Sequence, residues 1–267
     1  MRSTAVVLLV LLAQAAAAME ASVIADPADL TEFNLTRVEY DSSGGFMEAY
    51  YQFEGRIWAR WETDYPQAEH NFAKRLRELT RLHTSHSPAR NRRLTDSDLG
   101  DFPLLFMSDV GWMRYTREEV LALRAYLANG GFLWTDDFWG DAEWKSFERF
   151  MREVLPNKHW REVPITHPIF HTVFEIEEMP QIPAESFSYR YTTTEPPGLH
   201  RYPTGSMVRP TMRGYFDDAG RLMVIGTHNT DVADGWEREA YGQYYFERFS
   251  TKSYRLGVNV YTYVVTH

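Results

Sequence analysis

Two short, uninterrupted apolar runs, Leu104-Leu105-Phe106-Met107 and Phe132-Leu133-Trp134, constrain the fold of this chain more than any other feature. A strand with one wet face alternates apolar and polar residues. A strand that is apolar at every position is covered on both faces, as in a parallel sheet between helices. Helical segments follow both runs. Thr116 with Glu119 three residues later makes a capping box, and the helix it opens carries Val120, Leu123 and Leu127 to a stop at Gly130-Gly131. Asp141 is placed to cap the next helix, with Trp144, Phe147, Met151 and Val154 inward. The order strand, helix, strand, helix implies right-handed crossovers and an α/β fold with a mainly parallel sheet.

Other segments fit around this unit. Phe33 to Tyr40 alternates loosely as a strand does, and the glycine turn Ser42-Ser43-Gly44-Gly45 follows. Residues 66 to 82 set Ala68, Phe72, Leu76, Leu79 and Leu82 on one helical face, with Pro66 in the first turn. Six of the 13 prolines fall between Pro180 and Pro210, which reads as an irregular surface insertion. Two strands joined by Asp217-Asp218-Ala219-Gly220 return to the sheet, with Met223-Val224-Ile225 buried. From Tyr254 to Val265 spacing alone does not separate helix from strand. Without repeats or a linker, residues 19 to 267 read as one domain.

The N-terminus has the form of a secretory signal. Met1-Arg2 precedes an apolar run from Ala5 to Ala13 and a small-residue stretch ending at Ala18. The run is shorter than the ~20 residues that cross a bilayer, so we expect cleavage after Ala18 and a periplasmic or secreted protein with no membrane span in the mature chain. A net charge of -9 argues against nucleic acid as a partner. Zero cysteine removes thiolate metal sites and cysteine nucleophiles together.

In an open parallel sheet the ligand crevice lies beyond the carboxyl ends of the strands. Those ends carry Asp41, Asp109, Asp136 with Asp137, and His228 with Asn229 and Asp231. Aromatics beside carboxylates suit a sugar, but of Trp58, Trp61, Trp112, Trp134 and Trp236 most read as core; Trp139, which follows the Asp136-Asp137 pair directly, is the aromatic placed to line a site. We therefore expect ligand binding by Asp109, Asp136, Asp137, Trp139, His228 and Asp231, and the candidates for any catalysis are Asp136, Asp137, His228 and His167. Turn formation and helix capping are the competing role for each acid. No cofactor is expected, although several carboxylates from separate loops are what a divalent cation would take. His167 and His171 stand four apart, yet Pro168 disfavours a helix at His167, so they read as hydrogen-bonded turn residues and not as metal ligands. A Gly-x-Ser-x-Gly elbow is absent. The Ser42-Gly45 segment lacks the lysine and spacing of a nucleotide loop.

Several motifs together resemble one family: Asp64-Tyr65-Pro66 before Asn71-Phe72, Leu123-Arg124-Ala125-Tyr126-Leu127 running into Gly130-Gly131-Phe132, Asp136-Asp137-Phe138, His167-Pro168-Ile169-Phe170, Asn229-Thr230-Asp231 with Trp236-Glu237, and Leu256-Gly257-Val258-Asn259. The chain is similar, over roughly residues 33 to 265, to the bacterial domain of unknown function 4159, related in fold to class I glutamine amidotransferases and to trehalose-utilisation (ThuA-like) proteins. The resemblance implies a flavodoxin-like three-layer sandwich and a helix at Tyr254 to Val265. It brings no reaction and no catalytic residue, and without cysteine the amidotransferase route is closed. Two readings follow. One is a binding module that keeps the crevice for a small molecule or a cell-envelope protein. The other is a hydrolase or isomerase of a carbohydrate-like substrate, with Asp136 or Asp137 as acid or base and His228 or His167 as proton partner.

Overall fold

The computed structural model describes residues 33–42, 49–53, 55–80, 82–184, 188, 200–201 and 207–267. The expected signal, the Ser43-Gly45 part of the glycine turn and most of the Pro-rich insertion lie outside the described residues.

Seven strands form the central sheet: β1 (Phe33–Val38), β2 (Thr84–Arg92), β3 (Leu104–Ser108), β4 (Phe132–Phe138), β5 (Arg161–Glu162), β6 (Thr211–Phe216) and β7 (Leu222–His228). Their order is β2-β1-β3-β4-β7-β6-β5. The first five in that order run parallel; β6 then pairs antiparallel with β7, and β5 antiparallel with β6. The carboxyl ends of β1, β3, β4 and β7 therefore share one edge.

The principal helices are α1 (Gln67–Leu79), α2 (Arg117–Ala128), α3 (Gly140–Val154), the short α4 (Val232–Glu237) and α5 (Thr251–Thr266). Alternate residues of single strands feed two cores, as the period of a strand requires. Leu104, Phe106, Phe132 and Trp134 join Phe72 and Leu76 of α1, Trp236 of α4 and Leu256 of α5. Leu105, Met107 and Leu133 join Val120 and Leu123 of α2 and Phe147 and Met151 of α3. The two apolar runs are thus buried on both sides, which is why they contain no polar position.

The capping box is formed: Thr116 Oγ1 accepts from Glu119 N at 3.2 Å and Glu119 accepts from Thr116 N at 2.7 Å. Two local expectations are corrected, and one strand is added that the sequence reading did not contain. Helix α1 stops at Leu79, leaving that side chain 47% exposed, because Thr80 turns extended and its hydroxyl donates to Leu76 O at 2.6 Å. Helix α3 begins at Gly140, so Asp141 lies in its first turn, and Glu143 does the capping by accepting from Trp139 N at 2.7 Å. Edge strand β2, Thr-Ser-His-Ser-Pro-Ala-Arg-Asn-Arg, carries no apolar pattern; Pro88, which has no N–H to donate, falls in its irregular stretch between Thr84 and Ala89.

Candidate functional site

The site is built on one buried ion pair. Arg37, in β1, and Glu69, in α1, are both fully buried, with Arg37 Nη2 2.7 Å from Glu69 Oε1. The guanidinium also donates to the carbonyls of Thr63 at 2.6 Å and Trp61 at 3.3 Å and lies 4.9 Å over the Phe106 ring. A charge this deep holds its place only when its donors are used. Here they fasten the Arg60–Asp64 segment to the sheet, which sets Arg60 and Asp64 at the carboxyl edge.

Neighbouring β1 and β3 end in a second fastening, where the Tyr40 hydroxyl reaches the carbonyls of Ser108, 2.6 Å, and Asp109, 3.0 Å. Asp109 then turns left-handed, φ 55°, and its Oδ2 accepts from Arg60 Nη1 at 3.0 Å. Arg60 lies over Trp112 at 4.8 Å and Tyr51 at 5.4 Å. At the end of β4, two residues, Asp136 and Asp137, stand opposite Thr227 alone, because the register passes from Gly226↔Thr135 to His228↔Phe138. This bulge re-aims Asp137. Its φ is 52°, and its Oδ1 accepts from the Trp139 indole at 2.9 Å. Four non-glycine residues take positive φ among those described, Asp64, Asp109, Asp137 and Asn229, and all four belong to this edge. Left-handed side-chain residues are uncommon and gather at functional sites.

Beyond β7, Asp231 caps α4 by accepting from Asp234 N at 2.9 Å. Spacings of three bring Asp234 and Glu237 after it along the helix. Trp236, fully buried and stacked on Phe72 at 4.4 Å, anchors α4 to the core. Asp234 Oδ2 accepts from the Tyr245 hydroxyl at 3.0 Å, and Arg238 Nε sits 3.4 Å from Asp234 and 2.6 Å from Glu237.

Burial and mutual repulsion raise these acids together. Burial, then Asp137, lifts Asp109, against the pull of Arg60. Asp64 is raised by burial, Glu237 and Asp234, and Asp231 by burial, Asp137 and Asp64. Burial pushes Asp136 and Asp137 each up to about 7, although hydrogen bonds from Thr227 and Trp139 oppose it.

The structure brings Asp109, Asp137, Trp139 and Asp231 to one electrostatic cluster. Asp136 belongs to it too, with both oxygens in structural use: Oδ1 takes the Thr227 hydroxyl and Oδ2 accepts from Ala233 N at 2.9 Å. The imidazoles are directed elsewhere. His228 Nε2 bonds the Gly140 carbonyl at 2.9 Å, and its ring packs against Phe138 and Trp144, where burial lowers its pKa to about 4. His167 Nδ1 accepts from Ile169 N at 3.2 Å, and its ring lies beside Phe216 and Tyr263, at the start of the β6–β7 hairpin. His171 bonds Glu175 and the Ile165 carbonyl. Asp41 is exposed and paired with Arg93. Sequence reasoning about strand ends missed Arg60, Asp64, Asp234 and Glu237, which come from a loop and a short helix folded back over that edge. The spacing Asp231-Asp234-Glu237, one turn apart each time, is the signal that would have found two of them.

Sheet and site define the class: an α/β protein with a mainly parallel sheet and a cluster of buried carboxylates at its carboxyl edge. The profile of the domain of unknown function DUF4159 matches residues 36–265, and the chain belongs to that family. No curated protein matches the chain. Among the described residues no helix is long and apolar enough to cross a membrane.

Proposed function

We propose that this protein is an exported binding domain with an amidotransferase-like, flavodoxin-like three-layer fold, whose carboxylate crevice holds a ligand without turning it over. The strand order β2-β1-β3-β4-β7 supports the fold assignment, since it is the doubly wound order in which ligands sit beyond the strand ends. One observation carries the binding reading. Around Asp109 and Asp137 the charged neighbours are further carboxylates and Arg60, while His228 and His167 are bonded into other parts of the molecule. A nucleophile and base in hydrogen-bond reach, the minimum for covalent or general-base chemistry, is not assembled from them. The crevice offers hydrogen-bond acceptors beside the Trp112 and Tyr51 rings that flank Arg60, which suits a small polar ligand rich in donors, such as a sugar.

A second reading rests on Asp136 and Asp137, which titrate near neutrality as a general acid does. In that reading the protein hydrolyses a carbohydrate-like substrate through carboxyls alone. A thermal-shift screen with sugars and nucleotides, run beside activated glycosides, separates the two. Binding predicts a ligand that raises the melting temperature, an effect lost in Asp137→Asn, and no turnover. Turnover abolished by Asp137→Asn would overturn the binding reading in favour of the hydrolase.

A further inference from the structure

One corner of the crevice holds more negative charge than the side chains around it balance. Asp64, Asp234 and Glu237 each bring a carboxylate oxygen within 4.8 Å of the other two. Arg238 is the cation beside Asp234 and Glu237, at 3.4 and 2.6 Å. Arg37 also acts on Asp64 but is already paired with Glu69, so the three carboxylates keep a deficit that a divalent ion would neutralise.

Asp64 itself points to such an ion. The residue is 7% exposed, and its Oδ2 is buried without a hydrogen-bond partner. A carboxylate oxygen removed from water without a donor loses its hydration with no return. Buried polar atoms in native proteins are otherwise served by protein, water or an ion. Arg37 turns Nε to Glu69 and Nη1 to the Trp61 and Thr63 carbonyls, and its Nη2 lies 2.7 Å from Glu69 Oε1, so its hydrogen bonds go to groups other than Asp64. Oxygens within 4.8 Å of one another leave a common point no more than about 2.8 Å from all three, so a closing movement of a few tenths of an ångström reaches the calcium–oxygen range of about 2.3–2.6 Å. The donor set is oxygen only, which suits hard cations and not zinc or copper. Glu237, with its side chain 15% exposed, gives the corner a route to solvent.

We propose that Asp64, Asp234 and Glu237 form a binding site for a hard divalent cation, calcium or magnesium. The ion completes the crevice and deepens the binding reading above, on which it rests. It joins the Arg60–Asp64 segment to α4, two pieces far apart in sequence that carry opposite walls of the site. Asp64 then has a partner for its buried oxygen, while water and any bound ligand fill the remaining coordination positions.

The test uses the full chain after chelator treatment. Calcium and magnesium are titrated separately, read by melting temperature and by calorimetric stoichiometry. One ion per chain is expected, with a rise in melting temperature. Asp64→Asn and Glu237→Gln should each weaken binding by at least about 10-fold, while exposed Asp41→Asn leaves it unchanged. Because a variant could fail to fold, terbium is titrated into the unaltered chain. Tyr245, whose hydroxyl bonds Asp234, should sensitise its emission, and calcium should displace it. No heat, no shift and no sensitised emission would overturn the site. So would binding that survives both Asp64→Asn and Glu237→Gln. A sugar that stabilises the protein through Asp137 without any cation effect would remove this inference alone; failure of sugar and cation together would remove the binding reading with it.

Discussion

At the scale of single residues, burial decides which charges organise and which respond. Arg37 and Glu69 are held completely inside, and their bonds run to the segment that carries Arg60 and Asp64. Removing one partner leaves the other charged and unpaired, so Arg37→Met should lose about 3–5 kcal/mol in urea unfolding, and the double replacement Arg37→Met with Glu69→Leu should lose much less. Asp137 is the opposite case. It occupies a left-handed position that glycine adopts freely, at φ 52°, and its carboxyl is desolvated. Asp137→Gly should therefore stabilise the protein by about 1 kcal/mol while weakening ligand binding. A loss of stability on calorimetric melting would instead make that carboxylate a structural one.

At the scale of elements, close approach places the site. Helices α1, α4 and α5 converge at Gly257, where an added Cβ would stand 2.7 Å from both the Phe72 and Trp236 rings. Gly257→Ala should cost about 1–3 kcal/mol through overpacking. It should also shift α4, so ligand or cation affinity should fall although residue 257 touches neither; unchanged affinity in the variant would separate α4 from the site. Which elements could be read from the chain follows from how each is buried. β3 and β4 announced themselves because both faces are covered, and α2 because its cap is written in side chains. β2 left no trace, since an edge strand needs only backbone pairing on one side and tolerates Pro88. The Pro180–Pro210 stretch lies mostly outside the described residues.

At the scale of the whole molecule, the collected acids set a pH dependence. A carboxyl whose pKa is raised by folding holds its proton more tightly in the native state than in the unfolded chain. Its favourable contribution is complete below the ordinary value of 3.8 and is lost as pH rises through about 7 for Asp136 and Asp137. Asp64, Asp109 and Asp231 are raised in the same direction. Chelator-treated protein should thus unfold at a higher temperature near pH 5 than near pH 8, and Asp136→Asn with Asp137→Asn should flatten that slope. A stability that rises across this interval would mean that the crevice is solvated.

Sequence by itself determined the alternation of elements, the mainly parallel sheet and the edge at which Asp109, Asp137 and Asp231 appear, because hydrophobic period, capping pairs and strand ends are local properties. Only the tertiary structure decided which side chains meet there. Strand parity sends Thr227 toward Trp134 and His228 toward Trp144, so the imidazole expected at the site is held by the Gly140 carbonyl instead. Asp64 and Glu237, 173 positions apart by number, meet because Arg37 ties one loop to β1 and Trp236 sinks the other element into the core. Such meetings depend on long-range packing, which no local pattern in the chain encodes.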